Sequence, residues 1–265
     1  MNENKKIAIT ASGNDVIKNT VRLLGSKHHR DAQRVFIAEG KKLVYEAFDN
    51  GCELKQLFIS TDCESDYTRL ESAADQIYVI TPQLMKKITE SKTPQDITAV
   101  FAYNLSSFDI SQIHSGRYIA LEHVQDPVNV GALIRSASVF GFDGVILTQD
   151  CADIYSQKVL RGSMGAVFRI PIYIVSDMSD TVSFLHDRSI TSYAAALNSS
   201  ALSLSDVVFG ENTVLIIGNE GNGLTEKTIE SSDFVIKIPM HEGCESLNAA
   251  VAGSVLMWEA VRDEH

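Results

Sequence analysis

Short apolar runs alternate with amphipathic stretches along most of the chain, and their periods, two and 3.6 residues, assign the elements. Over the first hundred residues the pattern predicts helix near 14–25, strand 34–38, helix 40–50, strand 54–59, helix 65–75, strand 77–80, helix 83–90 and strand 98–103. Such alternation describes a small α/β sandwich. The stretch Asn104–Gly116 is serine-rich, polar and weakly periodic, as linkers are, so the expected domains are 1–105 and 117–265, with a linker at 106–116.

Beyond the linker the apolar runs change character. Tyr118–Leu121, Val145–Leu147, Ile170–Ile174, Tyr193–Leu197, Val214–Ile217 and Phe234–Ile238 are short, aliphatic or β-branched, and separated by helical patterns. That is the signature of a parallel sheet covered on both faces. Ligands of such sheets bind beyond the carboxyl ends of the strands, so chemistry is sought in the turns that follow these runs.

Composition narrows the class. Hydrophobic residues make up 45% and charged residues 22% of 265 residues, with five prolines, as in globular proteins that bury a sizeable core. No apolar run approaches the length of a membrane span and the amino terminus lacks a signal-like core, which predicts a cytoplasmic protein. Cys52, Cys63, Cys151 and Cys244 form no Cys-x-x-Cys pair, so neither a zinc site nor a disulfide framework is expected. Cys244 lies inside a motif, which makes it a candidate nucleophile, but no histidine partner is assignable to it from the sequence.

A net charge of -11 argues against a phosphate-rich partner until its distribution is read. Residues 1–42 carry nine basic and four acidic side chains, a net of +5, which leaves -16 for the remainder. Two readings stay open, a nucleic-acid footprint on an acidic body or a solvated helix face. Lys27-His28-His29-Arg30 falls in a polar break and is placed on a loop, and Lys27, Arg30 and, at the start of the next strand, Arg34 are the candidate nucleic-acid contacts.

Three turns stand out. In Asp126-Pro127-Val128-Asn129-Val130-Gly131-Ala132-Leu133-Ile134-Arg135, Asn129 reads as an N-cap and Arg135 as pointing into the same cleft. Alone this fits a capped helix with a solvent-exposed arginine better than a site, and decides nothing. In Gly218-Asn219-Glu220-Gly221-Asn222-Gly223, three glycines and two asparagines in six residues mean a tight backbone around one carboxylate. Its Gly-x-x-Gly-x-Gly spacing and late position disfavour a dinucleotide-dependent oxidoreductase. In Ile238-Pro239-Met240 through Ser246-Leu247-Asn248, Ser246 reads as the cap of a small-residue helix and Asn248 as part of its first turn.

Together and in this order the motifs resemble the SpoU-type (TrmH-like) RNA ribose 2′-O-methyltransferases of the SPOUT superfamily. Asn-x-Gly-x-x-x-Arg-x-Ala, Gly-x-Glu-x-x-Gly-Leu, and Ile-Pro-Met followed by Ser-Leu-Asn-x-x-Val-Ala carry the likeness, which covers residues 118–262. Arg34-Val35-Phe36-Ile37-Ala38-Glu39-Gly40 is similar to the family's L30e-like substrate-binding domain.

The resemblance implies a parallel sheet with a deep trefoil knot, a homodimer through the catalytic domain, and S-adenosylmethionine held by backbone groups at Leu197, Gly218, Ile238 and Leu247. It implies catalytic roles for Arg135, Asn129, Glu220, Ser246 and Asn248, an RNA substrate, ribosomal or transfer, and no metal. A dimer of this kind leaves Arg135 two places to act, its own site or the partner's. The chain departs from the family in its small Ala249 and Ala250 and in two carboxylates within His241-Glu242-Gly243-Cys244-Glu245, which bear on substrate choice. A non-catalytic RNA-binding or ribosome-assembly protein with the same fold is the alternative.

Overall fold

The computed structural model describes residues 6–103, 109–198, 200–241 and 246–264. They divide into two compact units, one of Met1–Ser106 with Tyr155–Arg161, the other of Ser107–Ile154 with Gly162–His265.

The first unit runs β1 (Lys6–Ile9), α1 (Asp15–Gly25), α2 (Lys27–Gln33), β2 (Val35–Glu39), α3 (Lys41–Asp49), β3 (Leu54–Ser60), α4 (Thr68–Glu71), β4 (Gln76–Ile80), α5 (Pro82–Lys87) and β5 (Ile97–Ala102). Its sheet is ordered β1-β4-β3-β5-β2, with β5 antiparallel to both neighbours and the other pairs parallel. Ile17 and Leu23 of α1 and Leu84 and Met85 of α5 close one face over Ile37, Phe58, Tyr78 and Val100.

The predicted loop at Lys27–Arg30 is instead the helix α2. Ser26 ends α1 in an extended conformation and then caps α2, its Oγ accepting from the His29 amide at 3.2 Å. A break one residue wide is too short to register as an element boundary in a hydropathy pattern. Burial also corrects the expected role of Arg30. The residue is 5% exposed, and its Nη1 donates to the carbonyls of Leu23 at 2.6 Å and Leu24 at 3.1 Å. It satisfies the carbonyls that the end of α1 leaves without helical partners and is withdrawn from any RNA surface. Lys27 and Arg34 are exposed, Arg34 in the left-handed region at φ 53 as the C-cap of α2.

The second unit contains β6 (Arg117–Leu121), α6 (Pro127–Val139) and β7 (Gly144–Thr148). Helix α7 (Gln157–Gly162) follows, its residues through Arg161 grouped with the first unit, where Gln157 Nε2 donates to the Ile37 carbonyl at 2.7 Å. Then come β8 (Ile172–Val175), α8 (Met178–His186), β9 (Thr191–Ala195), β10 (Leu202–Ser203), β11 (Thr213–Ile217), α9 (Glu226–Ser231), β12 (Phe234–Lys237) and α10 (Ala249–Val261).

All seven strands are parallel, in the order β10-β12-β9-β11-β6-β7-β8, as the apolar runs predict. Met178, Val182 and Leu185 of α8 cover one face. Helices α6 and α10 pack together on the other, so closely that a Cβ on Gly253 would lie 2.3 Å from Leu133 Cδ2.

Replacing Arg30 with Met tests its structural role. The variant loses about 1.5–3 kcal/mol of stability in urea unfolding, because carbonyls at the end of α1 lose a charged donor.

Candidate active site at the strand ends

The catalytic candidates come from three loops at the carboxyl end of the parallel sheet. α6 is capped by Asp126, whose carboxylate accepts from the Val128 amide at 2.8 Å, and Pro127 takes the first helical position. Asn129 is therefore not the cap that the sequence suggests but a first-turn residue, only 4% exposed, turned into the protein.

Its amide has a fixed orientation. Asn129 Nδ2 donates to Glu220 Oε1 at 2.8 Å, and Asn248 Nδ2 donates to Asn129 Oδ1 at 3.0 Å. Asn248 is in turn the N-cap of α10, its Oδ1 accepting from the amides of Ala250 at 2.9 Å and Val251 at 3.2 Å. The cap assigned to Ser246 thus belongs to Asn248. Ser246 lies two residues before it and is exposed.

The loop carrying Glu220 is closed by backbone. Asn219 and Gly223 exchange two hydrogen bonds, at 3.0 and 2.9 Å, and Asn219 Oδ1 accepts from the amides of Gly221 and Asn222. Gly218 is obligatory here, since a Cβ would sit 2.3 Å from the Gly223 carbonyl carbon.

Sequence reasoning missed two supports of this loop. Asn219 Nδ2 donates to the His123 carbonyl at 2.8 Å. Glu122, 2% exposed at the end of β6, accepts from the Thr225 amide, Thr225 Oγ1 and Thr228 Oγ1, which fixes the start of α9 against β6. The signal was a Thr-x-x-Thr after the glycine turn, legible only once β11 is known to neighbour β6.

Arg135 does not join this cluster. It lies six residues beyond Asn129, roughly 9 Å along α6 and about 120° around it, and is exposed where Asn129 is buried. It shares a stripe with Val128, Ala132 and Val139, of which Val128 is 60% and Val139 68% exposed. Beside that stripe α10 presents Val251, Val255 and Trp258, all partly exposed, around a shallow groove of about 470 Å³.

Leu197, Gly218 and Ile238 each follow the carboxyl end of one of three adjacent strands, β9, β11 and β12, and Leu247 precedes α10. Leu197 and Leu247 are 63% and 41% exposed, large apolar side chains beside a polar loop cluster. Cys244 and the acidic residues Glu242 and Glu245 lie outside the described residues; Cys52 and Cys151 are buried free thiols, burial pushing the first up to about 11. Among the described residues no three His, Cys, Asp or Glu side chains gather as metal ligands.

Asn129→Asp tests the amide chain. The new carboxylate meets Glu220, so the unfolding temperature falls at neutral pH by the equivalent of about 1–3 kcal/mol and recovers as pH drops through the carboxylate range and the pair takes up a proton. Equal stability of variant and parent at both pH values contradicts the assignment.

Comparison with known proteins places this geometry. Residues 116–258 match the model of the SpoU rRNA Methylase family and residues 14–99 that of the MRM3-like substrate binding domain. The chain is 30% identical over 253 residues, 94% of its length and 97% of the relative's, to the 23S rRNA (guanosine(2553)-2′-O)-methyltransferase RlmP of Bacillus subtilis. Among solved structures it superposes with an AdoMet-bound rRNA methyltransferase of Sinorhizobium meliloti at TM-score 0.89 and 28% identity, covering 97% of this chain and 98% of that one. The AdoMet complex of the SpoU methyltransferase AviRb from Streptomyces viridochromogenes follows at TM-score 0.85 and 25% identity, covering 95% and 98%. With more than half its length matched by that family model and its strand-end motifs joined as described, the chain belongs to the SpoU rRNA Methylase family.

Proposed function

We propose that the protein transfers a methyl group from S-adenosylmethionine to a ribose 2′-hydroxyl of RNA, ribosomal RNA in preference to transfer RNA, as a homodimer in the cytoplasm. The observation that carries this reading is the hydrogen-bonded Asn248–Asn129–Glu220 chain set beside the ends of β9, β11 and β12. The sheet order, with β12 inserted between β10 and β9, is compatible with the trefoil knot that the family resemblance implies.

The residues present suit the cofactor. Exposed Leu197 and Leu247 offer apolar cover for an adenine, and the backbone at Gly218 and Ile238 offers hydrogen-bonding groups to its polar atoms. Bound S-adenosylmethionine supplies a methyl group on a sulfonium, so the protein has only to position the acceptor and lower the cost of its lost proton.

Glu220 is held by Asn129, Asn248 fixes that amide, and the Ser246 hydroxyl stays available to substrate. Arg135 is protonated throughout and so serves as a donor to the developing alkoxide or an adjacent phosphate rather than as a base.

The dimer rests on α10. Ser254 and Glu259 apart, this helix is apolar, yet Val251, Val255 and Trp258 face water, continuous with the α6 stripe that carries Arg135. A helix so largely apolar calls for cover on both sides. A second copy on this face would bring its Arg135 toward the partner's strand-end loops.

RNA entry is assigned to the layer of helices α1, α2 and α5. Exposed Lys18, Arg22, Lys86 and Lys87 join Lys27 and Arg34 there, and Arg30 drops out. No helix among the described residues is long and apolar enough to cross a membrane.

Radiolabelled S-adenosylmethionine and total RNA from a strain lacking the protein test the reaction. Label is expected in a 2′-O-methyl nucleotide, reduced at least about 100-fold by Arg135→Ala. Label on a base, or none on any RNA fraction, contradicts it. Sedimentation velocity tests the dimer: Val255→Glu, with a charge in the apolar face, is expected to sediment as a monomer where the parent is a dimer.

A further inference from the structure

His123 stands directly beyond the carboxyl end of β6, six residues before Asn129, and occupies the left-handed region at φ 56. Glycine adopts that conformation freely, whereas a residue with a Cβ pays about 1 kcal/mol for it. The conformation is held at three points. The His123 amide donates to Thr148 Oγ1 at 2.9 Å, its carbonyl accepts from Asn219 Nδ2 at 2.8 Å, and its ring Nδ1 pairs with Asp150.

Asn219 precedes Glu220, so the same turn that presents the catalytic carboxylate also fixes the histidine backbone. Burial works against the charge of Asp150, but hydrogen bonds from Thr148 and His123 outweigh it and hold the carboxyl below its ordinary range. Both side chains remain half-exposed, His123 at 41% and Asp150 at 50%.

One polar atom is left. With Nδ1 taken by Asp150, ring Nε2 makes no hydrogen bond among the described residues. The surrounding loops are acidic, with Asp126 committed to capping α6, Glu220 to Asn129 and Asp150 to the ring itself. An imidazole whose Nδ1 donates to a carboxylate offers a second donor at Nε2 when it carries both ring protons, aimed here at the strand ends.

We propose that His123 is a contact to the RNA backbone, Nε2 donating to a phosphate oxygen of the strand that carries the acceptor ribose while Asp150 sets the plane of the ring. This assignment rests on the RNA methyl-transfer reading above. It explains why a residue with a side chain stands where glycine would be unstrained.

A second His–Asp pair supplies a control. His186 Nδ1 meets Asp233 Oδ1 at 2.8 Å, but Asp233 also accepts from the Ser192 amide and hydroxyl, which places that pair at the amino ends of β9 and β12, away from the strand ends that carry the site.

The test is methyl transfer to the RNA fraction that the parent chain labels out of total unmodified RNA, at varied RNA and salt concentrations, for the parent chain and for His123→Gly, His123→Gln, Asp150→Asn and His186→Gln. His123→Gly is expected to melt at or above the parent temperature, because glycine suits φ 56. Its KM for RNA rises about five- to tenfold and the slope of log KM against log salt falls by about one, while cofactor affinity is retained. His123→Gln and Asp150→Asn move KM in the same direction by less, and His186→Gln moves neither quantity.

Unchanged KM and salt slope in His123→Gly would overturn the proposal in favour of a structural histidine. A loss confined to kcat would overturn it in favour of a proton acceptor. Failure of the parent chain to methylate any RNA would sink the functional reading itself, a result distinct from either.

Discussion

The amide of Asn129 is the constraint on which the site depends, because its direction is imposed from both ends. Helix amides at Ala250 and Val251 can only donate, so Asn248 must present its oxygen to them and its nitrogen to Asn129. Glu220, as a carboxylate, can only accept, so Asn129 must turn its nitrogen there. Each bond therefore forbids the flip of the next, and residues 91 and 119 positions apart in the chain share one polarised line of hydrogen bonds. Burial of Asn129 raises the cost of breaking that line.

Close packing behind the site holds this line in place. Gly253 lets α10 settle on Leu133 of α6, Gly218 lets its loop fold back on Gly223, and Glu122 ties the start of α9 to the end of β6. The three loops thus arrive from rigid elements. Opposite them, on the outer side of the same two helices, lies the exposed apolar stripe with Arg135. A second copy that brings its arginine round would join it to the buried polar cluster, which is why dimer formation and chemistry are linked in this reading.

Periodicity carried most of the architecture. Strands in both units fall within a few residues of where the apolar runs place them, most plainly in the second, whose parallel strands, buried on both faces, have to be continuously apolar. Short or polar elements escaped: β1 and β10 lack a long apolar run, and α2 hides behind a single capping serine.

At the site, residue types were legible and roles were less so. Asn129 and Ser246 both look like caps, but Asp126 and Asn248 hold those positions, because proline at 127 starts α6 earlier and the loop before α10 runs longer than residue preference alone suggests. Arg30 looked like a surface cation and is a buried cap of α1, a distinction that depends on the fold of α1 onto α2 and not on local composition. Glu122 and His123 carried no motif. Their significance comes from which strands are neighbours.

Subunit complementation tests the central claim that Arg135 of one copy completes the Asn129–Glu220 cluster of the other. Arg135→Ala and Glu220→Ala chains, each inactive alone, are co-expressed with different tags, and the mixed dimer is purified. If the site is shared, one of its two sites contains both residues intact, and the mixed dimer recovers about half of the parent activity. If both residues act within one chain, every site in the mixed dimer lacks one of them, and an inactive mixed dimer would contradict the account.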